Sequence, residues 1–341
     1  MTSLDGPYHN LRVAEVIEET SDSKSFVFEV PPELAELFSY RSGQFLTFRV
    51  EVDGHRIVRC YSLASAPELD ARPKVTIKRV DEGRVSNWMN DHVVVGTTLE
   101  VMHPAGHFCL RESDSPILLF GGGSGITPII SIIKTALKTT SRPVKLLYAN
   151  RNDQSIIFKE ELATLFSQYP DRLELVHRLD DVHGFVDASL VVQEVGPRTD
   201  ADFYICGPGP FMDVVENALA GLHVDPSQIF IERFESPEGP ISSEAVDTSG
   251  GARVTIKLDG NETEVEVGEG ETILAAARRV GLEAPFACEE AYCGCCMAKV
   301  VEGDVEMLTN DGGIDQRQID QGWVLTCQGI VKGRARIEYP D

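Results

Sequence analysis

Five of the eight cysteines fall in the last sixth of the chain, and four of them stand as Cys288-x4-Cys293-x2-Cys296 with Cys327 thirty intervening residues further on. Thiolates are soft ligands, and four of them suit an iron–sulfur cluster or zinc. Zinc sites usually show two short cysteine pairs. Three ligands on one loop and a fourth far off is instead the spacing of a [2Fe–2S] loop, with zinc as the alternative. Cys295 breaks that spacing and reads as a small residue that carries a thiol. Ala287, Ala291, Gly294 and Ala298 flank the loop, and their small side chains let backbone N–H groups approach the sulfurs. Cys60, Cys109 and Cys206 are scattered singly, which does not fit a disulfide scaffold.

A second constellation follows an apolar run at 117–120: Gly121-Gly122-Gly123-Ser124-Gly125-Ile126-Thr127-Pro128. Glycines let backbone amides reach a pyrophosphate, and a helix N-terminus favours the anion. Pro128 stands where the ordinary dinucleotide fingerprint has its third glycine, and proline in a first helical turn costs no hydrogen bond. A purely structural turn is the competing reading. Cys206-Gly207-Pro208-Gly209-Pro210 closes a later strand, so Cys206 either faces the same cleft or is a buried core residue.

These groups need three kinds of scaffold. Between residues 11 and about 111, short alternating segments (25–30, 44–52, 55–63, 74–80 and 98–103) are broken by Asp53-Gly54, Arg72-Pro73 and Asp81-Glu82-Gly83. That pattern predicts an antiparallel β-barrel, with one helix beginning at 85–90. From residue 116 the rhythm becomes strand then helix: strands at 117–120, 144–149, 173–177, 202–206 and 229–234, helices at 127–137, 158–166 and 211–219. This is the alternation of an α/β domain with a parallel sheet covered on both faces. Residues 235–251 have the composition of a linker. Beyond them, 254–258 and 263–267 form a hairpin around Asp259-Gly260-Asn261, and Thr272 and Gly281 bracket a helix at 273–280. The chain is therefore read as multidomain: 1–112, 113–235, a linker at 236–251, and 252–341.

With 42% hydrophobic and 25% charged residues the chain has ample core material. A net charge of −23 argues against a nucleic-acid or anionic-membrane partner. No apolar run approaches the roughly 20 residues of a bilayer span, and the first residues lack a secretory pattern. A cytoplasmic monomer is expected.

At this point the first two zones resemble the ferredoxin–NADP reductase superfamily. Residues 254–339, including the approach Gly322-Trp323-Val324-Leu325-Thr326-Cys327, resemble plant-type [2Fe–2S] ferredoxins of α+β, β-grasp fold. The superfamily's Arg-x-Tyr-Ser flavin motif stands here as Arg59-Cys60-Tyr61-Ser62. The resemblance assigns Arg59 to the flavin phosphate, Tyr61 to the isoalloxazine face and Ser62 to flavin N5. Its Gly-x-x-Ser element matches Gly83-Arg84-Val85-Ser86, a helix start against the flavin pyrophosphate, which implies FAD rather than FMN. Thr76, Ile77 and Lys78 would follow the ribityl chain. Gly123, Ser124, Gly125, Thr127 and Pro128 would hold the nicotinamide nucleotide, and Cys206, Gly207 and Pro208 would border the hydride site. Phe234 takes the place of the superfamily's terminal aromatic that shields the flavin, although here the chain continues beyond it.

The order flavin, nicotinamide, ferredoxin is similar over nearly the whole length to reductase components of bacterial multicomponent oxygenases. Segments 59–66, 148–158, 206–212 and 231–234 lean toward the reductases of steroid 9α-hydroxylases. Reductases of di-iron oxygenases such as phenylacetyl-CoA epoxidase are the alternative. The resemblance implies hydride transfer from NAD(P)H to FAD, then single electrons to a [2Fe–2S] cluster near −400 mV and on to a terminal oxygenase. Ser62 and Cys206 would serve the hydride step, and Cys288, Cys293, Cys296 and Cys327 would hold the cluster. A non-catalytic redox sensor is a rival, but a sensor needs no hydride-donor site. Arg151 and Arg178 both have acidic neighbours in sequence, Asp153 for the first and Asp180 and Asp181 for the second. A 2′-phosphate needs uncompensated cations, so NADH is favoured over NADPH, with Arg178 placed among the nicotinamide contacts.

Overall fold

The first strands are short, alternating and turn-punctuated, and in the computed structural model they roll into a barrel. The structure describes residues 8–234, 251–286, 288–289, 291, 293–310, 313–314 and 316–340. Strands β1 (His9–Thr20), β2 (Ser23–Glu29), β3 (Phe45–Val52), β4 (His55–Ser62) and β5 (Lys74–Lys78) come first; helix α1 (Arg84–His92) and strand β6 (Thr98–Val101) follow. The sheet order is β4-β3-β6-β1-β2-β5. An antiparallel bridge between Leu63 and Val75, and an Ala64 N–H bond to the Lys74 carbonyl at 2.7 Å, join its two edges. Closure removes the unpaired edge that an open sheet would present. Leu11, Val13, Phe26, Phe28 and Phe48 fill the interior. Asp53 and Gly54 both take positive φ (54° and 77°), the two-residue turn that matches strand twist. Strand β1 was not among the segments singled out above, because Glu15, Glu18 and Glu19 blur its alternation.

The α/β part runs β7 (Ile117–Gly122), α2 (Ile126–Thr139), β8 (Val144–Asn150), α3 (Lys159–Gln168), β9 (Leu173–Leu179), α4 (Asp180–His183), α5 (Ala188–Val195), β10 (Asp202–Cys206), α6 (Gly209–Gly221) and β11 (Ile229–Glu232). All pairings in the order β11-β10-β7-β8-β9 are parallel. Alternate residues of each strand serve opposite faces. Ile117, Leu119, Leu146 and Tyr148 pack with α2, whereas Leu118, Phe120, Leu147 and Ile205 pack with α5 and α6. Helix α5 was not expected from the sequence; its signal is Asp187, whose carboxylate accepts the Leu190 N–H at 2.9 Å as an N-cap.

Helix α2 is buried almost all round because its other side meets the barrel. Ser131 Oγ donates to the Ser65 carbonyl at 2.6 Å, and Lys134 Nζ lies 2.6 Å from both Asp70 and Glu161. At the start of β10, Arg142 and Asp202 pair at 2.5 Å with both side chains only 3% exposed.

The last part contains β12 (Ala252–Leu258), β13 (Asn261–Val267), α7 (Ile273–Arg279), β14 (Met297–Met307), α8 (Gln316–Asp320), β15 (Trp323–Leu325) and β16 (Gly329–Glu338). Its mixed sheet has the order β13-β12-β16-β14-β15, with β12 and β16 parallel. Thr272 accepts the Ala275 N–H at 3.3 Å as N-cap of α7, and Gly281 turns the chain at φ 81°. Ile273, Leu274, Ala276 and Ala277 bury that helix. Barrel and parallel sheet form one compact unit and the mixed sheet a second. Most of the expected linker, residues 235–250, and Ala287 lie outside the described residues.

Candidate functional site

Strand β4 ends on Ser62, which is 4% exposed, and its hydroxyl donates to Glu232 Oε2 at 2.9 Å. Glu232 ends β11 and stands in register with Cys206, the last residue of β10. Three chain segments thus meet at the carboxyl end of the parallel sheet, where ligands of such sheets bind. Glu232 is partly buried, and loss of hydration pushes its pKa up to about 8 against the opposing Ser62 hydrogen bond. Cys206 is fully buried; burial first and Glu232 second push its thiol up, so it stays protonated. Ser62 and Cys206 are candidates from sequence, whereas Glu232 is not, although it lies inside segment 231–234, which leans toward the steroid 9α-hydroxylase reductases.

The glycine turn does two jobs. A Cβ on Gly125 would lie 2.1 Å from the Cys206 carbonyl oxygen, and one on Gly122 would lie 2.8 Å from Pro208. These glycines let the β7 turn seat directly on Cys206-Gly207-Pro208. Gly123 differs: its φ is +51°, and the nearest atom to a Cβ there is Lys78 Nζ at 4.0 Å. That open cradle, at the start of a 14-residue helix, is the part that fits a nucleotide phosphate. The Ser124 carbonyl accepts from Thr127 Oγ1 at 3.0 Å, and Pro128 sits in the first turn of α2.

Lys78, expected along the ribityl chain, also brings its Nζ near the glycine turn. Burial lowers its pKa, and Asp22 at 3.8 Å opposes that. The Thr76 hydroxyl is committed to Ser25 at 2.6 Å, and the Ile77 carbonyl accepts from Asn90 Nδ2 at 3.1 Å. Tyr61 packs its ring 5.9 Å from Phe48, and Arg59 donates to the Val58 carbonyl at 2.8 Å. Gly83 caps α1 where a Cβ would meet Ser86 Oγ at 2.5 Å; Arg84 and Val85 follow in its first turn. Phe234 follows β11 and is 44% exposed.

The two arginines do not find the partners their sequence neighbours offered. Arg151 pairs with Asp22 at 2.7 Å, whereas Asp153 pairs with Lys159 at 2.6 Å. Arg178 gives its hydrogen bonds to the carbonyls of Gly184 (2.8 Å), His183 and Phe185 (3.3 Å). Its guanidinium is occupied by the backbone of the following loop, not by Asp180 or Asp181.

In the second unit, Cys293, Cys296 and Cys327 are buried and Cys288 half-buried. The Cys293 thiol neighbours those of both Cys288 and Cys295, and the Cys296 thiol neighbours that of Cys327. Four thiolates of this kind would hold a [2Fe–2S] cluster, which would supply one-electron transfer. The hydrogen bond from Cys296 pulls the Cys327 thiol down toward thiolate. For Cys293, the hydrogen bond with Cys288 pulls down, but that with Cys295 and burial push up and prevail. Cys295 N–H points at Cys293 Sγ (3.4 Å), the amide-to-sulfur contact that small loop residues permit.

Three family models match the chain: an oxidoreductase FAD-binding domain at residues 10–109, an oxidoreductase NAD-binding domain at 119–217, and a 2Fe-2S iron-sulfur cluster binding domain at 256–332. The ferredoxin reductase component of 3-ketosteroid-9-alpha-monooxygenase from Rhodococcus rhodochrous is 41% identical, covering 99% of this chain and all of its own length. A component of the 1,2-phenylacetyl-CoA epoxidase from Escherichia coli K12 is 36% identical over 95% of each chain. Among solved structures, phthalate dioxygenase reductase shares the fold at a TM-score of 0.62, with 23% identity over 97% of this chain and 98% of its own. Among the described residues no helix is long and apolar enough to cross a membrane. Binding domains for FAD, NAD and a [2Fe–2S] cluster thus stand in the order the sequence implied, and the chain belongs to the reductase components of oxygenases within the ferredoxin–NADP reductase superfamily.

Proposed function

We propose that this protein carries electrons from NADH through FAD and the [2Fe–2S] cluster to the terminal oxygenase of a 3-ketosteroid 9α-hydroxylase, as a cytoplasmic monomer. The observation that carries the redox reading is the Ser62–Glu232–Cys206 corner beneath the glycine turn, in a chain whose residues 256–332 match a 2Fe-2S cluster binding domain. The steroid reading rests on the 41% identity with the Rhodococcus component over the full length. FAD supplies the step-down from two electrons to one.

Arg59, Tyr61 and the α1 start at Gly83 to Ser86 hold the flavin, with Thr76 and Ile77 contributing backbone. Ser62 presents its hydroxyl to N5. Lys78 and the Gly123 cradle hold nicotinamide-nucleotide phosphate, with Thr127 and Pro128 fixing the turn, and Cys206 to Pro208 border the hydride site. Phe234 covers the ring. Cys288, Cys293, Cys296 and Cys327 hold the cluster. The occupied guanidinium of Arg178 supports NADH, because a 2′-phosphate would have to displace three carbonyls to recruit it. The domains run 1–112, 113–235 and 252–341, with a linker at 236–251. The test is reconstitution with a 3-ketosteroid 9α-hydroxylase oxygenase and, separately, with the phenylacetyl-CoA epoxidase oxygenase. NADH-driven steroid hydroxylation is expected. Brisk ferricyanide reduction with no steroid product, but with epoxide formation, would sink the steroid assignment.

A further inference from the structure

The cluster ligands are anchored by the far end of the chain. Thr326 is wholly buried, and both its backbone N–H (3.1 Å) and its hydroxyl (2.9 Å) donate to the Cys296 carbonyl. Tyr339, 5% exposed, donates its hydroxyl to Thr326 Oγ1 at 2.8 Å. Its backbone N–H bonds the Lys257 carbonyl at 3.0 Å, which fixes the ring from β12.

We propose that Tyr339 and Thr326 are positioning residues for the cluster: their hydrogen-bond chain to the Cys296 carbonyl locks the two distant ligand segments together and raises the cluster's reduction potential. The lock follows from connectivity, since Thr326 is bonded covalently to Cys327 and by two hydrogen bonds to Cys296. The effect on potential follows from direction. The chain runs from the Tyr339 O–H through the Thr326 O–H to the Cys296 carbonyl, so both dipoles have their positive ends on the Cys296 side. Reduction adds negative charge there, and in a dry interior aligned dipoles reinforce one another. Hydrogen bonds and burial around ligand sulfurs are among the determinants of cluster potential. Nothing in the ligand spacing announces Tyr339.

The inference rests on the ligand assignment made above, and the experiment separates the two. In the full-length protein, Tyr339→Phe keeps the ring and removes the donor. Iron content should match wild type. At the wild-type midpoint the ratio of reduced to oxidised cluster should fall about threefold, roughly 28 mV for one electron, read by dye-mediated titration and by the cluster's EPR signal. Thr326→Ser, which keeps the hydroxyl, should titrate like wild type, while Thr326→Val should shift in the same direction as Tyr339→Phe. A fully loaded Tyr339→Phe protein with unchanged potential and EPR signal overturns the proposal. So does a Thr326→Ser shift as large as that of Thr326→Val, which would reduce both residues to packing. If Tyr339→Phe fails to assemble, the Thr326 pair decides alone. A Cys296→Ser protein that keeps a full cluster would show instead that the ligand assignment is wrong.

Discussion

Glu232 makes the first unit sensitive to pH in a way that can be worked out with its sign. Its pKa is raised from the ordinary 4.5 to about 8, so between those values the native protein holds a proton that the unfolded chain has released. Stability from this group is fully present below about 4.5, falls as pH rises by up to about 1.36 kcal/mol per unit, and is lost above about 8. Glu232 keeps part of its surface in water, which softens the penalty, so about 2–5 kcal/mol is expected across the window. Glu232→Gln carries a permanently neutral isostere. Urea unfolding of flavin-loaded protein, followed by flavin fluorescence from pH 5.5 to 8.5, should show the variant gaining on wild type as pH rises. The same proton governs Ser62. An ionised Glu232 takes the Ser62 O–H as an acceptor, whereas the neutral acid can donate to Ser62 and leave that O–H for the flavin. One such hydrogen bond is about 1–2 kcal/mol, or between fivefold and thirtyfold in rate. Stopped-flow flavin reduction by NADH should therefore drop by that factor across pH 8 in wild type and stay level in Glu232→Gln. A stability difference that does not change with pH, or an inflection that survives in the glutamine variant, refutes the reasoning.

Cys296→Ser should lose the cluster's visible absorbance and cytochrome c reduction while ferricyanide reduction persists, and Cys295→Ser should keep both activities; the opposite pattern of cluster loss means the ligands are misassigned. The specificity constant for NADH should exceed that for NADPH, and Arg178→Ala should leave their ratio within about threefold, since a backbone-bound guanidinium discriminates little; a higher constant for NADPH would reverse the cosubstrate reading. Asp202→Ala leaves the buried Arg142 guanidinium without its counter-charge, held only by the Ser115 and Arg111 carbonyls, and should cost about 3–5 kcal/mol, measured by urea unfolding followed through tyrosine and tryptophan fluorescence. A loss below about 1 kcal/mol would show that the two carbonyls and water suffice for Arg142.

The parallel sheet was legible because its strands are buried on both faces and read as unbroken apolar runs, such as Ile117 to Phe120. Helix α7 was legible from Thr272 and Gly281, which act locally. Strand β1 was not, because its glutamates reflect a strand whose solvent side is acidic, and only pairing with both β2 and β6 makes it central. Helix α5 is eight residues behind a single cap, too short for its period to stand out.

The site divides in the same way. Ligand spacing is a local property, so the sequence alone pointed to a 2Fe-2S domain, which the family model matches at 256–332. Glu232 is defined by Ser62, 170 residues away, and no spacing rule joins an acid at the end of one sheet to a hydroxyl at the end of another. The glycines show a subtler limit. The Gly-rich turn was read as room for a phosphate, yet Gly122 and Gly125 are required by the Cys206-Gly207-Pro208 backbone and only Gly123 leaves space open. An alanine at 125 would force the β7 and β10 loops apart and move Cys206 before it touched any nucleotide. The residues that look like a binding motif are here also the joint that fixes where Cys206 and the proposed hydride site stand, which is why turn and thiol occur together.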